Sequence, residues 1–264
     1  MRDSSEVWTG KASSYNRVRP TPPPALPDLL TQVIGTPHPA LVVDLGSGSG
    51  LSTAIWGERA EQVIGIEPNA DMRKEATRNV EDHPYAAHIE YREGVAHQTG
   101  LPDGRADIVT AAQAFHWMEP TATLAEIARI LRPGGLFAAY DYDSPPAIHW
   151  ELDRLAQEGS LRLVEMIRER GLAHSLKIWP KNKSLDLLRE SGHFRFTREV
   201  LLHSIEQGDA ARFLEMMQSS ALNGQFQFTD QEIGLDRLRQ VALQHIGSES
   251  IPWYFSYRVR IGIK

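Results

Sequence analysis

The sequence predicts an α/β fold: a doubly wound, mostly parallel seven-stranded sheet with a helical cap from insertions. Three observations lead there. Short apolar runs alternate with amphipathic stretches at the pitch of a βα repeat through the first half of the chain. The first of those runs closes on a glycine-rich turn that opens a helical pattern. After Asp143 long charged helical stretches break the alternation, and two further strand patterns return between and after them.

Residues 1–20 are polar with isolated aromatics, Trp8 and Tyr15, ahead of Arg17-Val18-Arg19-Pro20. The stretch from Pro20 to Pro24 cannot sit inside a helix, because each proline fixes φ and lacks an N–H. Leu26, Leu29, Leu30, Val33 and Ile34 recur at helical spacing, and Gly35-Thr36-Pro37-His38-Pro39 breaks that helix. Residues 41–43 read as a buried strand closed by Asp44. A helix over 51–59 follows the glycine turn. Residues 63–67 form the second strand, ending in Glu67. Asn69 is the expected N-cap of a helix over 70–80. Residues 88–92 form a weaker third strand, and 106–113 a fourth. The spacing of Leu124, Ile127, Ala128 and Leu131 predicts a helix over 121–131 that Pro133-Gly134-Gly135 stops, with a fifth strand over 136–140. Beyond Pro145-Pro146 the pattern predicts helices over 148–170, 184–190, 210–222 and 230–246, with Gly171 as a C-cap. Strands are expected over 194–202 and 252–263. The implied division is an arm and core over 1–146, cap insertions over 147–183 and 207–248, a core helix and strand over 184–206, and a last core strand over 249–264.

A chain of 264 residues suits one large α/β domain with a cap. Its net charge of −6 argues against a general nucleic-acid binder, which is usually basic. It has no cysteine, which excludes disulfides and thiolate metal sites. Residues 1–6 carry no apolar signal core, and no apolar run reaches spanning length. The expectation is a cytoplasmic protein that engages no membrane and no nucleic acid, as a monomer or homodimer. The ten histidines show no His-x-x-x-His or similar spacing, so no metal site is expected. His193, His203 and His245 are read as structural.

The turn itself is Asp44-Leu45-Gly46-Ser47-Gly48-Ser49-Gly50. Glycine tolerates φ > 0 and has no Cβ, so a ligand can lie against bare backbone. The free N–H groups and the dipole of the following helix favour a negative group there. A dinucleotide fingerprint needs G-x-G-x-x-G. Counted from Gly46 the third glycine falls on Leu51, and from Gly48 on Thr53, so it fails twice. The Walker pattern fails for want of lysine. Glu67, ending the neighbouring strand, can accept hydrogen bonds from both hydroxyls of a ribose, a device that nicotinamide binders share.

This Asp-x-Gly-x-Gly-x-Gly turn resembles the first motif of class I S-adenosylmethionine-dependent methyltransferases. Three further runs narrow the resemblance: Leu101-Pro102-Asp103-Gly104, Gln113-Ala114-Phe115-His116-Trp117, and Ile130-Leu131-Arg132-Pro133-Gly134-Gly135. Together they look like the small-molecule group similar to trans-aconitate methyltransferase, over about residues 8–142. The resemblance implies a Rossmann-like core, S-adenosyl-L-methionine as cofactor with S-adenosyl-L-homocysteine as product, and a small-molecule methyl acceptor. It assigns cofactor contacts to Tyr15, Arg19, Asp44, Gly46, Ser47, Gly48, Gly50, Glu67, Pro68, Met72, Ala96, Gln113 and Ala114. Tyr15 and Arg19 would reach over the methionine end, and Met72 would either pack on adenine or serve the helix core. The family commonly carries an acid where His97 stands. Phe115, His116, Trp117 and Tyr140 would meet the acceptor. Methyl transfer is an in-line displacement, so the protein mainly holds two reactants and excludes water. His116 is the expected general base, should the acceptor arrive protonated, because histidine titrates near neutrality. Asp141 and Asp143 are the alternatives. Lys177, Lys181 and Lys183 either draw an anionic acceptor or are solvated surface. O-methylation of a carboxylate or hydroxyl leads. Methylation of an activated carbon comes next, and a protein that binds the cofactor without transfer is the rival of another class. A nicotinamide-dependent oxidoreductase is disfavoured by the missing third glycine and the absence of Tyr-x-x-x-Lys.

Overall fold

The computed structural model describes residues 9, 12–172, 178–219 and 228–264, with residues 13–15 as backbone only. The strands are β1 Leu41–Leu45, β2 Gln62–Ile66, β3 Ile89–Arg92, β4 Ala106–Ala112, β5 Leu131–Tyr142, β6 Phe196–Gly208 and β7 Ile251–Ile263. They form one sheet in the order β3-β2-β1-β4-β5-β7-β6. The pairs β1–β2, β2–β3, β1–β4 and β4–β5 are parallel. Strand β7 lies antiparallel between β5 and β6. The chain starts in the middle at β1, moves outward to β3, then crosses to β4. That reversal opens a crevice beyond the carboxyl ends of β1 and β4, where ligands of open parallel sheets bind.

The helices are α1 Ala12–Val18, α2 Ala25–Ile34, α3 Leu51–Ala54, α4 Ala70–Val80, α5 Pro120–Ile130, α6 Trp150–Glu169, α7 Ser184–Glu190, α8 Ala210–Gln218 and α9 Leu235–His245. Alternate residues of the central strands face opposite layers. Val42, Ile108, Leu136 and Ala138 pack with α2 and with Trp56. On the other face Val43, Val109, Phe137 and Ala139 pack with Leu124, Ile127 and Ile130 of α5 and Leu188 of α7. Residues of α6, α8 and α9, among them Leu152, Phe213 and Leu238, belong to the first of these cores. Among the described residues no helix is long and apolar enough to cross a membrane.

Several element boundaries depart from the sequence reading. Helix α3 ends at Ala54 rather than near 59. The bonds from Trp56 N–H to Thr53 and from Gly57 N–H to Ala54 tighten the chain into turns. Gly57 lies under the Tyr85 ring, where a Cβ would come within 2.1 Å of a ring carbon. Strand β5 starts at Leu131, paired with Ala106, and runs through the Pro-Gly-Gly stretch. Gly135 has room only as glycine: its Cβ would sit 3.0 Å from the carbonyl oxygens of Arg132 and Asp107. Strand β6 runs from Phe196 to Gly208, longer than expected, because β7 offers a continuous partner along all of it. Helix α9 starts at Leu235, since Gly234 takes φ +74° and ends the turns before it. Helix α8 ends at Gln218; residues 220–222 of the expected helix lie outside the described residues.

Candidate functional site

The glycine turn leaves β1 with Gly46, Gly48 and Gly50 all at positive φ, +65°, +54° and +89°. Each is glycine for a different reason. A Cβ at Gly46 would lie 2.8 Å from that of Ala114, so the turn touches the loop after β4. A Cβ at Gly50 would strike the Tyr91 hydroxyl at 2.4 Å. At Gly48 nothing lies within 4 Å, so its bare backbone borders open space. The N–H groups of Gly46 and Ser47 both donate to the Ile66 carbonyl, which ties the turn to the end of β2.

Asp44 sits inside β1, fully buried. Its Oδ2 accepts from Ser52 Oγ at 2.6 Å and Thr53 Oγ1 at 2.8 Å, and its Oδ1 accepts from Thr110 Oγ1 at 2.8 Å. Burial pushes its carboxyl up against the pull of these three hydroxyls. The side chain thus anchors α3 and β4 to β1. Glu67 follows β2 and is buried as well. Its Oε2 accepts the Gly48 N–H at 3.0 Å and its Oε1 the Asn69 N–H at 2.9 Å. Burial raises its carboxyl, while the two N–H bonds and Arg73 oppose that rise. Arg73 donates to the carbonyls of Glu67 and Pro68 at 2.7 and 2.8 Å, a clasp that the sequence reading missed. Ser47, Pro68 and Ala96 also lie at these strand ends: Ser47 and Ala96 are buried and Pro68 half-buried.

The N-terminal arm lies along this edge. Ser49 Oγ donates to Asn16 Oδ1, and Asn69 Nδ2 donates to Thr9 Oγ1 at 3.1 Å. Arg19 donates to the Tyr142 hydroxyl at 2.5 Å and to the Ser219 carbonyl at 3.0 Å. The backbone of Tyr15 is in α1, but its side chain lies outside the described residues. Asn16 carried no signal in the sequence beyond its place in the arm.

Beyond β4, Gln113 holds φ +49°, an uncommon conformation for a side-chain-bearing residue and a mark of functional loops. Its Oε1 accepts from Lys181 Nζ at 2.5 Å. A turn of 3-10 helix over Phe115–Trp117 then brings the His116 ring to within 3.5 Å of Asp141 Oδ1 through Nδ1. Asp141 also faces Lys181 Nζ at 3.2 Å and Arg260 Nη1 at 2.7 Å. Arg260 in turn pairs with Glu199 at 2.9 Å. Burial lowers the His116 imidazole, and the nearby Lys181 and Arg260 cations add to that against the pull of Asp141. Burial alone would raise the Asp141 carboxyl, but His116, Lys181 and Arg260 outweigh it and hold it low. A carboxylate held so firmly ionised is a poor general base. Asp141 thus stands at the meeting point of His116, Lys181 and Arg260. Asp143 is exposed and forks onto Arg258 at 2.9 and 3.2 Å. Of the basic run, Lys181 joins this site, Lys183 pairs with Asp186, and Lys177 lies outside the described residues.

Three of the expected contact residues are buried. Phe115 is a core residue, with its ring edge-on to Phe137 at 5.5 Å. Tyr140 is 1% exposed, because alternation on β5 turns it into the core on the Asp44 face while Asp141 faces His116. Met72 shares the buried face of α4 with Ala76 and Val80, as its reading as a helix-core residue requires. Trp117 is half-buried and Ala114 buried, both beside the turn that carries His116. Arg260 was missed because it stands on a strand that looks merely alternating.

Residues 43–139 match the family model described as a methyltransferase domain. Over those residues the chain is similar to a methyltransferase domain. An uncharacterized methyltransferase of Mycobacterium tuberculosis is 34% identical over 134 residues, 51% of each chain. The malonyl-[acyl-carrier protein] O-methyltransferase of Pseudescherichia vulneris is 27% identical over 158 residues, 58% of this chain and 59% of its own. The chain thus spans about half the length of the curated relatives it matches. A solved structure from Anaeromyxobacter dehalogenans, provisionally assigned to type II methyltransferases, superposes with a TM-score of 0.62 at 24% identity, over 93% of this chain and 97% of its own. That likeness bears on the fold alone: a seven-stranded, Rossmann-like sheet. The matched stretch runs from β1 to β5 and so contains the glycine turn, Glu67 and His116.

Proposed function

We propose that the chain transfers a methyl group from S-adenosyl-L-methionine to an oxygen of a small-molecule acceptor, a carboxylate or a hydroxyl. The observation that carries this is the pairing of open backbone at Gly48 with the buried carboxylate of Glu67. An ionised carboxylate offers about four acceptor sites. Gly48 and Asn69 use two of them, so two remain for a ribose diol. Gly46, Ser47, Gly48 and Gly50 would line the cofactor, with Pro68, Ala96, Gln113 and Ala114 around it and Arg19 of the arm nearby. Asp44 would act through the turn it anchors. The cofactor, when bound, supplies an electrophilic methyl on a sulfonium whose leaving group is neutral.

The protein's own part is orientation and proton handling. Burial depresses the proton affinity of His116, which favours the neutral ring that a base requires. His116 can take a proton from a hydroxyl acceptor, with Asp141 stabilising the imidazolium that forms. A carboxylate acceptor needs no base, and the Lys181 ammonium is then the group that would attract it. The malonyl-[acyl-carrier protein] relative, an O-methyltransferase by name, supports oxygen as the target.

Calorimetry with S-adenosyl-L-homocysteine and with NAD tests the cofactor. Binding of the first alone is expected; binding of NAD alone would overturn the reading. Glu67→Ala is expected to weaken the nucleoside by about 1–3 kcal/mol, the cost of losing hydrogen bonds to a charged acceptor. Transfer of labelled methyl into a panel of carboxylic acids and phenols tests the acceptor. Base-labile or ether products are expected; a methyl attached to carbon would reject oxygen as the target. No product at all, with the homocysteine nucleoside bound, would point to a non-catalytic binding protein.

A further inference from the structure

We propose that His149, Glu151 and His245 form a transition-metal site, with Zn2+ as the fitting ion, at the seam between α6 and α9. No sequence spacing joins these residues, yet their ligand atoms all lie within 4.8 Å of one another. His149 caps the start of α6, Glu151 stands in its first turn, and His245 is the last residue of α9. The two imidazoles stack, with ring centroids 3.8 Å apart and planes 20° apart. His245 Nε2 lies 3.1 Å from Glu151 Oε2. His245, which has no ligand partner nearby in the sequence, gains two candidate ones from α6 in three dimensions.

The chemistry favours a cation over a plain ion pair. The two imidazoles stack beside one carboxylate, that of Glu151, which lies against His245. As neutral rings they offer two lone pairs beside one carboxylate. Two histidines and one carboxylate form a donor set typical of zinc with one open position, and imidazole disfavours magnesium and calcium. His245 stands at the carboxyl end of α9, where the helix dipole is negative. Asp153, one turn beyond His149, has a buried Oδ1 without a hydrogen-bond partner, so a further acceptor lies close in sequence. Zinc–ligand bonds of about 2.0–2.2 Å put donors roughly 3.3 Å apart. The widest separation therefore closes by up to about 1.5 Å while His245 and Glu151 already stand at 3.1 Å, and the stacked rings must tilt so that both lone pairs meet the ion; all three side chains are half-buried. The cost is local. His149 Nδ1 accepts the Glu151 N–H at a long 3.3 Å. Coordination through either ring nitrogen ends that bond, because the other nitrogen must carry the proton. Occupancy would fasten the start of α6 to the end of α9 and stiffen the cap without touching the Gly48–Glu67 or His116–Asp141 groups.

Titration of the metal-free full chain with Zn2+ by calorimetry tests the site. One equivalent is expected, with no heat from Mg2+, and Co2+ in its place should give visible absorption of a low-coordinate site. His245→Ala should weaken Zn2+ binding by at least about 100-fold, since even partners outside the coordination shell cost 10–100-fold. It should also abolish the Zn2+-induced rise in melting temperature. Glu151→Gln keeps the ring stack, serves where His245→Ala does not fold, and should also bind more weakly. Equal Zn2+ affinity of wild type and both variants would overturn the proposal by pointing to the other histidines. So would the absence of binding to the wild-type chain.

Discussion

Gly46 and Gly48 are equivalent in the sequence and differ in what they face. Both hold positive φ, which costs a side-chain-bearing residue roughly 1–2 kcal/mol. Gly48→Ala should lose about that much, because space is open around it, while Gly46→Ala adds a collision with Ala114. Urea denaturation should rank Gly46→Ala as the less stable of the two, and calorimetry should show the ligand loss concentrated at Gly48. His116 gives a second test at this scale. Its folded-state proton affinity is lowered from an ordinary pKa of 6.5 by burial. Below pH 6.5 the unfolded chain binds that proton more readily, so stability falls with pH until the folded histidine titrates too. Denaturation midpoints between pH 5 and 7.5 should show that slope in the wild type and a flatter one in His116→Gln. An unchanged slope would mean another group sets it. With a hydroxyl acceptor, methyl transfer should fall at acid pH and lose its pH dependence in the same variant.

Single elements carry these residues into place, and their legibility in the sequence varied for physical reasons. Strands β1, β2 and β4 were plain because burial on both faces makes them continuous apolar runs. The turn and Glu67 were legible because glycine and acid at those positions have few other uses. The helix over 184–190 and the cap at Asn69, which accepts the Met72 N–H at 3.0 Å, also came through, being local. Strand β5 was placed too late because Pro133-Gly134-Gly135 reads as a stop, whereas Leu131 already pairs with Ala106 and the ladder resumes at Leu136 after a register shift across that stretch. Residues brought together by distant elements were the least visible. Lys181 meets Gln113 and Asp141 across long separations, and Arg260 reaches Asp141 only because β7 runs antiparallel to β5. That strand makes a prediction of its own. Arg260→Leu leaves Asp141 buried with less countercharge, and breaking a buried pair from one side costs about 3–5 kcal/mol. The melting temperature should drop, and the slope assigned to His116 should shift, since a cation that depresses its proton affinity is gone. A loss of stability without that shift would leave Arg260 a purely structural residue.

At the scale of the whole molecule the cap is continuous with the sheet. Leu152 and Met166 of α6, Phe213 of α8 and Leu238 and Ala242 of α9 share one core with Val42, Ile108 and Leu136. Phe213 sets its ring edge-on to Trp253 of β7 at 6.0 Å, and both are fully buried. A cap joined to the sheet by such contacts has no separate core to melt around. Phe213→Ala removes a buried ring and leaves a cavity, a change that costs about 3–5 kcal/mol. The loss should therefore move the entire transition. Far-ultraviolet dichroism, which follows all the helices and strands, and tryptophan fluorescence, to which Trp56 and Trp253 of the core contribute, should shift together. A separate early transition confined to the helical signal would mean that the cap folds as its own unit. In that case the acceptor side could open without disturbing the glycine turn.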